Sequence, residues 1–203
     1  MVIRSKQRLN ISKPFNIVLV EPEIPPNTGN IARLCAATNT KLHLVHPLGF
    51  KITDKELKRA GLDYWHLLDI KEYENWNNFL TSQFNTKCHS RENGNPEENV
   101  NGRLPDSHGS GNDKISNCWY ISTRGERNIW DIEFCPDDYL IFGSETKGLS
   151  EEILNSNKNK VISIPMNGKA RSLNLSTAVG IVLYEGLRQL TVEKKLIEVI
   201  PIR

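Results

Sequence analysis

The stretch "PMNGKARSLNLSTAVGIVLYEG", residues 165–186, places a polar loop directly before a helix that is largely apolar. The loop carries glycine, lysine and arginine, and the helix opens on small polar residues. Ser172 or Asn174 is suited to cap this helix, because a short polar side chain can accept a hydrogen bond from the unpaired N–H groups of a first turn. Capping accounts for the start of the helix but leaves the polar loop unexplained.

The rest of the chain alternates strands with helices. Apolar runs rich in β-branched residues predict strands at 15–22, 41–47, 118–123, 138–143 and 160–165. Helical spacing and capping signals predict helices at 27–39, 53–61, 72–84, 150–155 and 174–191. This alternation predicts an α/β fold with a mostly parallel sheet that is covered by helices on both faces.

Composition limits the class of protein. The 203 residues fit one domain with a sizeable core, and the net charge of +2 neither indicates nor excludes a nucleic-acid partner. The 4 cysteines contain no CxxC pair, so we interpret them as reduced thiols of a cytoplasmic protein. No apolar run approaches the ~20 residues that a membrane-spanning helix requires, and no membrane association is expected.

The domain is predicted to span residues 15–192, with short tails at 1–14 and 193–203. The first tail carries four cations and no acid. A frayed terminus fits this composition, and so does an arm that contacts RNA phosphates.

Residues 85–117 interrupt the alternation. They are rich in Asn, Gly and Ser and are predicted to form an exposed, disordered insertion in the domain. Cys88, His89 and His108 lack the regular spacing of a metal site, so no metal is expected there.

The segment "EPEIPPNTGNIARL", residues 21–34, joins the first strand to a helix. Prolines stiffen this turn, Gly29 permits close approach of backbones, and the helix N-terminus offers N–H groups to an anion. Asn27, Asn30 and Arg33 recur every three residues and are predicted to share a helix face. A phosphate or ribose clamp and a capped helix with a surface arginine both fit this pattern.

The segment "LIFGSETKGLSEEI", residues 140–153, resembles neither a dinucleotide fingerprint nor an NTPase phosphate loop. Its strand ends at Gly143, where a ligand could lie against the backbone, and Glu145 follows just beyond the strand. Gly148 permits a tight turn before the next helix. A ligand site and a plain strand–turn–helix joint both remain open.

Five segments together resemble the SPOUT-class ribose 2′-O-methyltransferases, and among them the small tRNA wobble-nucleotide (TrmL-like) type. They are "NIVLVEPEIPPNTGNIARLCAAT", "LHLVHPLGF", "KELKRAGLDYWH", "FGSETKGL" and "IPMNGKARSLNLSTAVGIVLYEGLRQ". The resemblance covers nearly all of 15–190 apart from the insertion. It implies a C-terminal deep trefoil knot, bent S-adenosylmethionine bound in that knot, and a homodimer in which the partner completes each RNA site. The implied substrate is the 2′-hydroxyl of the wobble cytidine or uridine in the tRNA anticodon stem-loop.

The resemblance also implies site residues. Those implied to bind the cofactor are Ile121, Thr123, Gly143, Ile164, Met166, Ser172 and Leu175. Those implied to be catalytic are Arg33, Glu145, Ser172 and Asn174, and those implied to bind RNA are Asn27, Arg33, Arg124 and Arg171. Because a guanidinium with a pKa above ~12 is a poor base, we expect Arg33 to stabilise the developing alkoxide or to fix the adjacent phosphate. Ser172 and Asn174 are expected to orient the ribose and the start of the helix.

Two alternatives to wobble methylation remain. One is the same chemistry at another tRNA position or on rRNA, and the other is a catalytically silent RNA-binding module. Because the insertion ends close in sequence to Ile121 and Thr123, an effect of the insertion on RNA access also stays open.

Overall fold

Seven parallel strands form the main sheet, and both chain termini contribute to a separate two-stranded ribbon. The computed structural model describes residues 5–9, 13–51, 68–84, 117–194 and 197–201. The strands are β1 Ser5–Leu9, β2 Phe15–Val20, β3 Lys41–Val45, β4 Ile70–Tyr73, β5 Cys118–Ile121, β6 Arg127–Asn128, β7 Asp138–Phe142, β8 Val161–Ser163 and β9 Ile197–Pro201. The helices are α1 Pro25–Thr38, α2 Trp76–Phe84, α3 Glu151–Ser156 and α4 Leu175–Lys194, with 3-10 turns at Ile129–Asp131 and Lys158–Lys160.

The order of the strands in the main sheet is β4-β3-β2-β7-β5-β8-β6. The chain first builds outward from β2 to β4 and later returns to place β7 on the other side of β2. A parallel sheet opens a crevice at the carboxyl ends of its strands where the order reverses in this way. The topology therefore predicts a ligand site beside the carboxyl ends of β2 and β7.

Alternate residues of the strands point to two apolar cores. Ile17 and Leu19 of β2 lie in the core that α1 and α4 cover, whereas Val18 and Val20 lie in the core that α2 and α3 cover. This alternation explains why the central strands read as continuous apolar runs, since both faces are buried. The predicted α/β class and the parallel sheet are confirmed.

The helix predicted at 72–84 is wrong over its first residues, because the chain forms strand β4 up to Tyr73 before α2 begins at Trp76. The side chain of Asn75 accepts a hydrogen bond from the N–H of Asn78 at 2.9 Å and so fixes the start of the helix. Only Tyr73 of β4 is buried, so this edge strand has no apolar pattern that local reading could detect.

The termini also differ from their prediction. Residues 5–9 form β1, which pairs antiparallel with β9, and α4 continues to Lys194. The interpretation of the first tail as a frayed terminus is therefore wrong for residues 5–9, which pair with a strand at the other end of the chain. The predicted helix at 53–61 and residues 85–116 lie outside the described residues. Within the described part, no helix is long and apolar enough to cross a membrane.

A buried carboxylate holds the amino-terminal edge of β7. Asp138 is fully buried and accepts hydrogen bonds from the N–H groups of Asn117 and Cys135, both at 2.9 Å, and from the indole of Trp119 at 3.0 Å. Burial raises the pKa of the Asp138 carboxyl, and the hydrogen bonds act in the opposite direction. The adjacent residue Tyr139 packs against Phe84, with ring centroids 5.2 Å apart. Residues 84 and 117 therefore both lie at this edge, opposite the carboxyl ends of the strands.

His43 lies at the centre of a buried hydrogen-bond chain on the α2 side of the sheet. Tyr139 donates to Gln83 at 3.1 Å, and Gln83 donates to the Tyr73 hydroxyl at 2.8 Å. That hydroxyl lies 2.7 Å from Nδ1 of His43, whose Nε2 lies 3.2 Å from the carbonyl oxygen of the Asn16 side chain. Every donor meets an acceptor if His43 is neutral and carries its proton on Nε2.

Stability should depend on pH through His43. Burial, with a smaller contribution from Lys41, lowers the pKa of His43 to about 3. In the unfolded chain the imidazole accepts a proton below about pH 6.5, whereas in the fold it stays neutral down to about pH 3. The free energy of unfolding should therefore decrease by about 1.4 kcal/mol per pH unit across this window because of this one residue.

Denaturant titrations of the wild type and of His43→Gln between pH 7 and pH 4 test this expectation. The substitution costs stability at pH 7, and that cost should shrink steadily as the pH is lowered, because the variant lacks the proton uptake on unfolding. A cost that stays constant over the whole range would mean that His43 titrates normally in the fold.

Candidate active site

A cavity of about 480 Å³ opens at the carboxyl ends of β5, β7 and β8 and reaches the start of α4. Its walls are the turns that follow these strands, the beginning of α1 and the residues just before α4. Pockets that hold small molecules fall in the range of about 300–1,000 Å³. The cavity lies at the edge where the sheet topology predicts a ligand.

The structure brings most of the predicted site residues together in this cavity. All of the residues implied to bind the cofactor line it, namely Ile121, Thr123, Gly143, Ile164, Met166, Ser172 and Leu175. Asn27, Arg124, Glu145 and Asn174 line it as well. Sequence reasoning missed several apolar lining residues, among them Phe142, Leu149, Leu154, Leu173 and Ala178.

Gly143 lets the turn after β7 fold tightly onto itself. A Cβ atom at this position would lie 2.0 Å from the carbonyl carbon of Gly148 and 2.2 Å from the N–H nitrogen of Leu149. Gly148 itself has a φ of 69°, the left-handed conformation that glycine adopts at little cost, and its N–H donates to the carbonyl of Ser144 at 3.0 Å. The turn thus keeps a compact shape against which a ligand can lie.

Glu145 ties this turn to the segment that follows β2. Its carboxylate accepts hydrogen bonds from the N–H of Glu23 at 2.7 Å, from the N–H of Ile24 at 3.2 Å and from the side-chain amide of Asn27 at 2.8 Å. Both carboxylate oxygens are therefore engaged as acceptors. These contacts suit a side chain that holds its neighbours in place, and the catalytic role expected for Glu145 stays a prediction.

Asn27 extends this link to α4. Its side-chain oxygen accepts a hydrogen bond from the amide of Asn174 at 2.9 Å. The oxygen of Asn174 in turn accepts from the N–H of Ser176 at 3.0 Å and of Thr177 at 3.3 Å, so Asn174 is the cap that the sequence predicted as one of two candidates. Glu145, Asn27 and Asn174 form one chain of hydrogen bonds, which we call the hinge chain.

Asn27 is available for the hinge chain because it does not cap α1. The sequence predicted a helix that starts at 27. The structure instead starts α1 at Pro25, with Pro25 and Pro26 in its first turn and no side-chain cap. Proline tolerates these positions because the first N–H groups of a helix have no partner within it.

The expected helix face of Asn27, Asn30 and Arg33 is wrong. Asn27 is buried, whereas Asn30 and Arg33 are exposed. A step of three residues falls about 60° short of a full helical turn, so Arg33 lies about 120° around α1 from Asn27. Neither Arg33 nor Arg171 is among the described residues that line the cavity of this chain.

Basic and hydroxyl side chains stand at the rim of the cavity. Arg124 forms an exposed ion pair with Glu151 of α3, and Lys147 lines the cavity from the turn after β7. Ser172 is exposed, and among the described residues its hydroxyl has no hydrogen-bond partner. The rim therefore offers the Ser172 hydroxyl and two cations to a polyanionic substrate.

Two cysteines are buried in the described part of the chain. Burial raises the pKa of the Cys35 and Cys118 thiols, which keeps both sulfurs protonated and unreactive. No group of three or more metal-ligating side chains occurs among the described residues.

Comparison with known proteins points to one family. The model of the SpoU rRNA Methylase family matches residues 14–99 and 111–184. A tRNA (cytidine(34)-2′-O)-methyltransferase of Saccharophagus degradans is 42% identical over 177 residues, which make up 87% of this chain and 96% of that protein. The protein of the same name from Yersinia pestis is also 42% identical, over 87% of this chain and 94% of its own length.

Solved structures agree with this similarity. One, described as "Structural insights into the 2-OH methylation of C/U34 on tRNA", has a TM-score of 0.70 at 38% identity and covers 88% of this chain and 97% of that chain. The SpoU methyltransferase AviRb from Streptomyces viridochromogenes, solved with AdoMet, has a TM-score of 0.67 at 22% identity and covers 90% of this chain and 60% of that chain. The second likeness shows a shared fold.

Removing the Glu145 carboxylate should loosen the site. Glu145→Ala deletes three hydrogen bonds to a charged, partly buried acceptor, so we expect a loss of about 2–4 kcal/mol in the free energy of unfolding. Glu151→Ala is the matched control, because its ion pair is well exposed and should contribute less than about 1 kcal/mol. Equal, small losses in urea titrations of the two variants would contradict the positioning role.

Proposed function

Because this chain belongs to the SpoU rRNA Methylase family of methyltransferases, we propose that it transfers a methyl group from S-adenosylmethionine to a ribose 2′-hydroxyl of tRNA. The proposed target is the wobble nucleotide, cytidine or uridine 34. The names of the two bacterial relatives and the description of the solved structure support this target. The observation that carries the proposal is the cavity itself, whose walls are built by the implied cofactor residues and joined by the hinge chain.

The cavity fits S-adenosylmethionine by its chemistry. When bound, this cofactor supplies a methyl group on a sulfonium, which already carries a good leaving group. Ile121, Ile164 and Leu175 offer apolar contact for a flat ring, and Gly143 lines the cavity in the compact turn after β7. The polar loop at 165–173, which the sequence left unexplained, leads from β8 along the cavity to α4 and would enclose the ligand.

Catalysis by this chain would consist mainly of alignment. Holding the ribose oxygen in line with the donor can contribute about 7–11 kcal/mol. The hinge chain fixes the start of α4, and with it the loop that presents Ser172 to the cavity. In this proposal the Ser172 hydroxyl orients the ribose, whereas Glu145 acts through the atoms that it holds.

A second copy of the chain is proposed to complete the site. Arg33 lies on the exposed side of α1, away from the cavity of its own chain. Helix α4 packs beside α1 and exposes Ile181 and Tyr184 one turn apart, an apolar strip that suits a dimer interface. A homodimer along this surface would let Arg33 serve the cavity of its partner.

We also propose that this chain forms a trefoil knot and that it acts in the cytoplasm. In this arrangement the segment from β8 through α4 would thread behind the turn after β7. The basic side chains of Arg124 and Arg171 would contact the phosphates of the anticodon stem-loop.

Methyl transfer can be tested with the purified chain, labelled S-adenosylmethionine and unmodified tRNA transcripts. We expect label on the 2′-oxygen of nucleotide 34, mapped by nuclease digestion and mass spectrometry. A transcript with 2′-deoxyribose at position 34 is the matched control and should accept no methyl group. Label on a base, at another tRNA position or only on rRNA would contradict the proposed target. If calorimetry detects no binding of S-adenosylmethionine, the chain is a silent RNA-binding module.

Arg33→Ala should reduce turnover on the order of 10²–10³-fold, as the loss of a group that stabilises developing negative charge does. The affinity for S-adenosylmethionine should stay within about twofold, since Arg33 does not line the cavity of its own chain. Equal losses of turnover and of donor affinity would contradict this role.

Mixed dimers test whether Arg33 acts across the interface. Arg33→Ala and Gly143→Val should each be inactive alone, the latter because a side chain at 143 collides with Gly148. Refolded together, they form dimers with one intact composite site if Arg33 acts on its partner, and activity should return. Mixed dimers without activity would place Arg33 in its own chain's reaction.

A further inference from the structure

Lys147 differs from the other cation at the rim of the cavity in having no counter-ion. Arg124 forms an ion pair with Glu151 of α3. The ammonium of Lys147 is exposed, and within the described part of the chain it has neither an ion-pair partner nor a hydrogen-bond partner. An unpaired ammonium beside a cavity can bind an anion that comes from outside the chain.

The turn after β7 holds the backbone of Lys147 in place on both sides. The N–H of Lys147 donates to the hydroxyl of Ser144 at 3.3 Å, and the N–H of Gly148 donates to the carbonyl of Ser144 at 3.0 Å. The hydroxyl of Thr146 donates to the carboxylate of Glu23 at 2.7 Å. The ammonium therefore extends from a fixed point, and only its flexible four-carbon stem must be ordered when an anion binds.

The cavity has a positive balance of charge at its rim. Its charged lining residues are Arg124, Glu145 and Lys147. The carboxylate of Glu145 already accepts three hydrogen bonds from the chain itself. A cleft lined by one sign of charge concentrates ligands of the opposite sign, so this rim favours an anionic group such as a phosphodiester.

A second cavity, of about 460 Å³, lies on the other side of the same turn. Ser144, Lys147 and Gly148 line both cavities. The other ionisable residues that line the second cavity are Glu21, His46, Glu74 and Glu152. Three carboxylates on that side repel a phosphate, so an anion reaches the ammonium of Lys147 from the side of the first cavity.

We propose that the ammonium of Lys147 binds the phosphate on the 3′ side of the nucleotide that is methylated, and that Lys147 is thereby a positioning residue. This inference rests on the proposed function. In ribose, the carbon that carries the 2′-hydroxyl is bonded to the carbon that carries the 3′-oxygen. A 2′-oxygen inside the cavity therefore brings the 3′-phosphate to the rim. Phosphate contacts fix the register of a nucleic acid without reading its sequence, which suits a target that is either cytidine or uridine.

A neutral methylphosphonate in place of one phosphate tests this contact with the unaltered chain. Two anticodon stem-loop RNAs are compared with the all-phosphate RNA, one neutralised on the 3′ side of nucleotide 34 and the other on its 5′ side. The 3′ substitution should weaken binding to the wild type about three- to tenfold at low salt. It should also reduce the slope of log affinity against log salt concentration by about 0.7–1.

Lys147→Gln should make the chain indifferent to the 3′ substitution, while its response to the 5′ substitution stays that of the wild type. With all-phosphate tRNA the KM of this variant should rise about three- to tenfold. Its kcat should stay within about threefold, because the phosphate is bound in the ground state as well as in the transition state. Lys147→Arg keeps the charge and should bind RNA nearly as the wild type does. Lys158→Gln is the matched control, since Lys158 is an exposed cation that precedes β8 at the opposite edge of the sheet.

The contact is refuted if the wild type does not distinguish the 3′ methylphosphonate from phosphate, a result that needs no variant. It is also refuted if Lys147→Gln stays as sensitive to the 3′ substitution as the wild type, or if Lys158→Gln loses as much RNA affinity. A loss of donor affinity with unchanged RNA affinity would assign the ammonium to the carboxylate of S-adenosylmethionine instead. Unchanged circular dichroism excludes a folding defect as the cause of weaker binding.

The failure of the contact can be told apart from the failure of the proposed function. A wild type that methylates no tRNA refutes the proposed function and the contact with it. An active wild type whose RNA affinity is matched by Lys147→Gln refutes the contact alone.

Discussion

The carboxylate of Glu145 is the point at which three distant parts of the chain meet. It fixes the turn after β2 through two backbone N–H groups, and through Asn27 it reaches Asn174 at the start of α4. A carboxylate can accept several hydrogen bonds at once, so one side chain sets the relative positions of three walls of the cavity. Lys147, one of the two cations at the rim, lies two residues from Glu145 in the same turn, so this acceptor also bears on the position of that cation.

The parts of the fold that the sequence predicted are those with a strong local signal. The central strands are buried on both faces, so their apolar runs identify them without knowledge of their neighbours. The sequence did not predict β4, because it is a largely exposed edge strand, or β6, because it has only two residues. The pairing of β1 with β9 joins opposite ends of the chain, which no local pattern can reveal.

The candidate site shows the same division between local and non-local information. The family resemblance named residues that line one cavity, because they lie on continuous motifs that keep their order. Leu149 and Leu154 were missed, since an apolar side chain that faces a ligand has the same sequence signature as one in the core. The three-residue spacing predicted that Arg33 and Asn27 share a helix face. With 3.6 residues per turn, six residues instead place Arg33 about 120° around α1 from Asn27. The tethering role of Glu145 depends on contacts with residues 118 or more positions away in sequence.

The hydrogen bonds of Asp138 and the packing of Phe84 on Tyr139 determine where the length of this chain can vary. Phe84 and Asn117 both lie beside the start of β7, at the edge of the sheet opposite the cavity. Closing a longer excursion between two fixed neighbouring anchors costs only about 0.6 kcal/mol for each doubling of its length. The number of residues between Phe84 and Asn117 can therefore differ among related chains at little cost in stability, and the two fixed ends keep such a change away from the cavity.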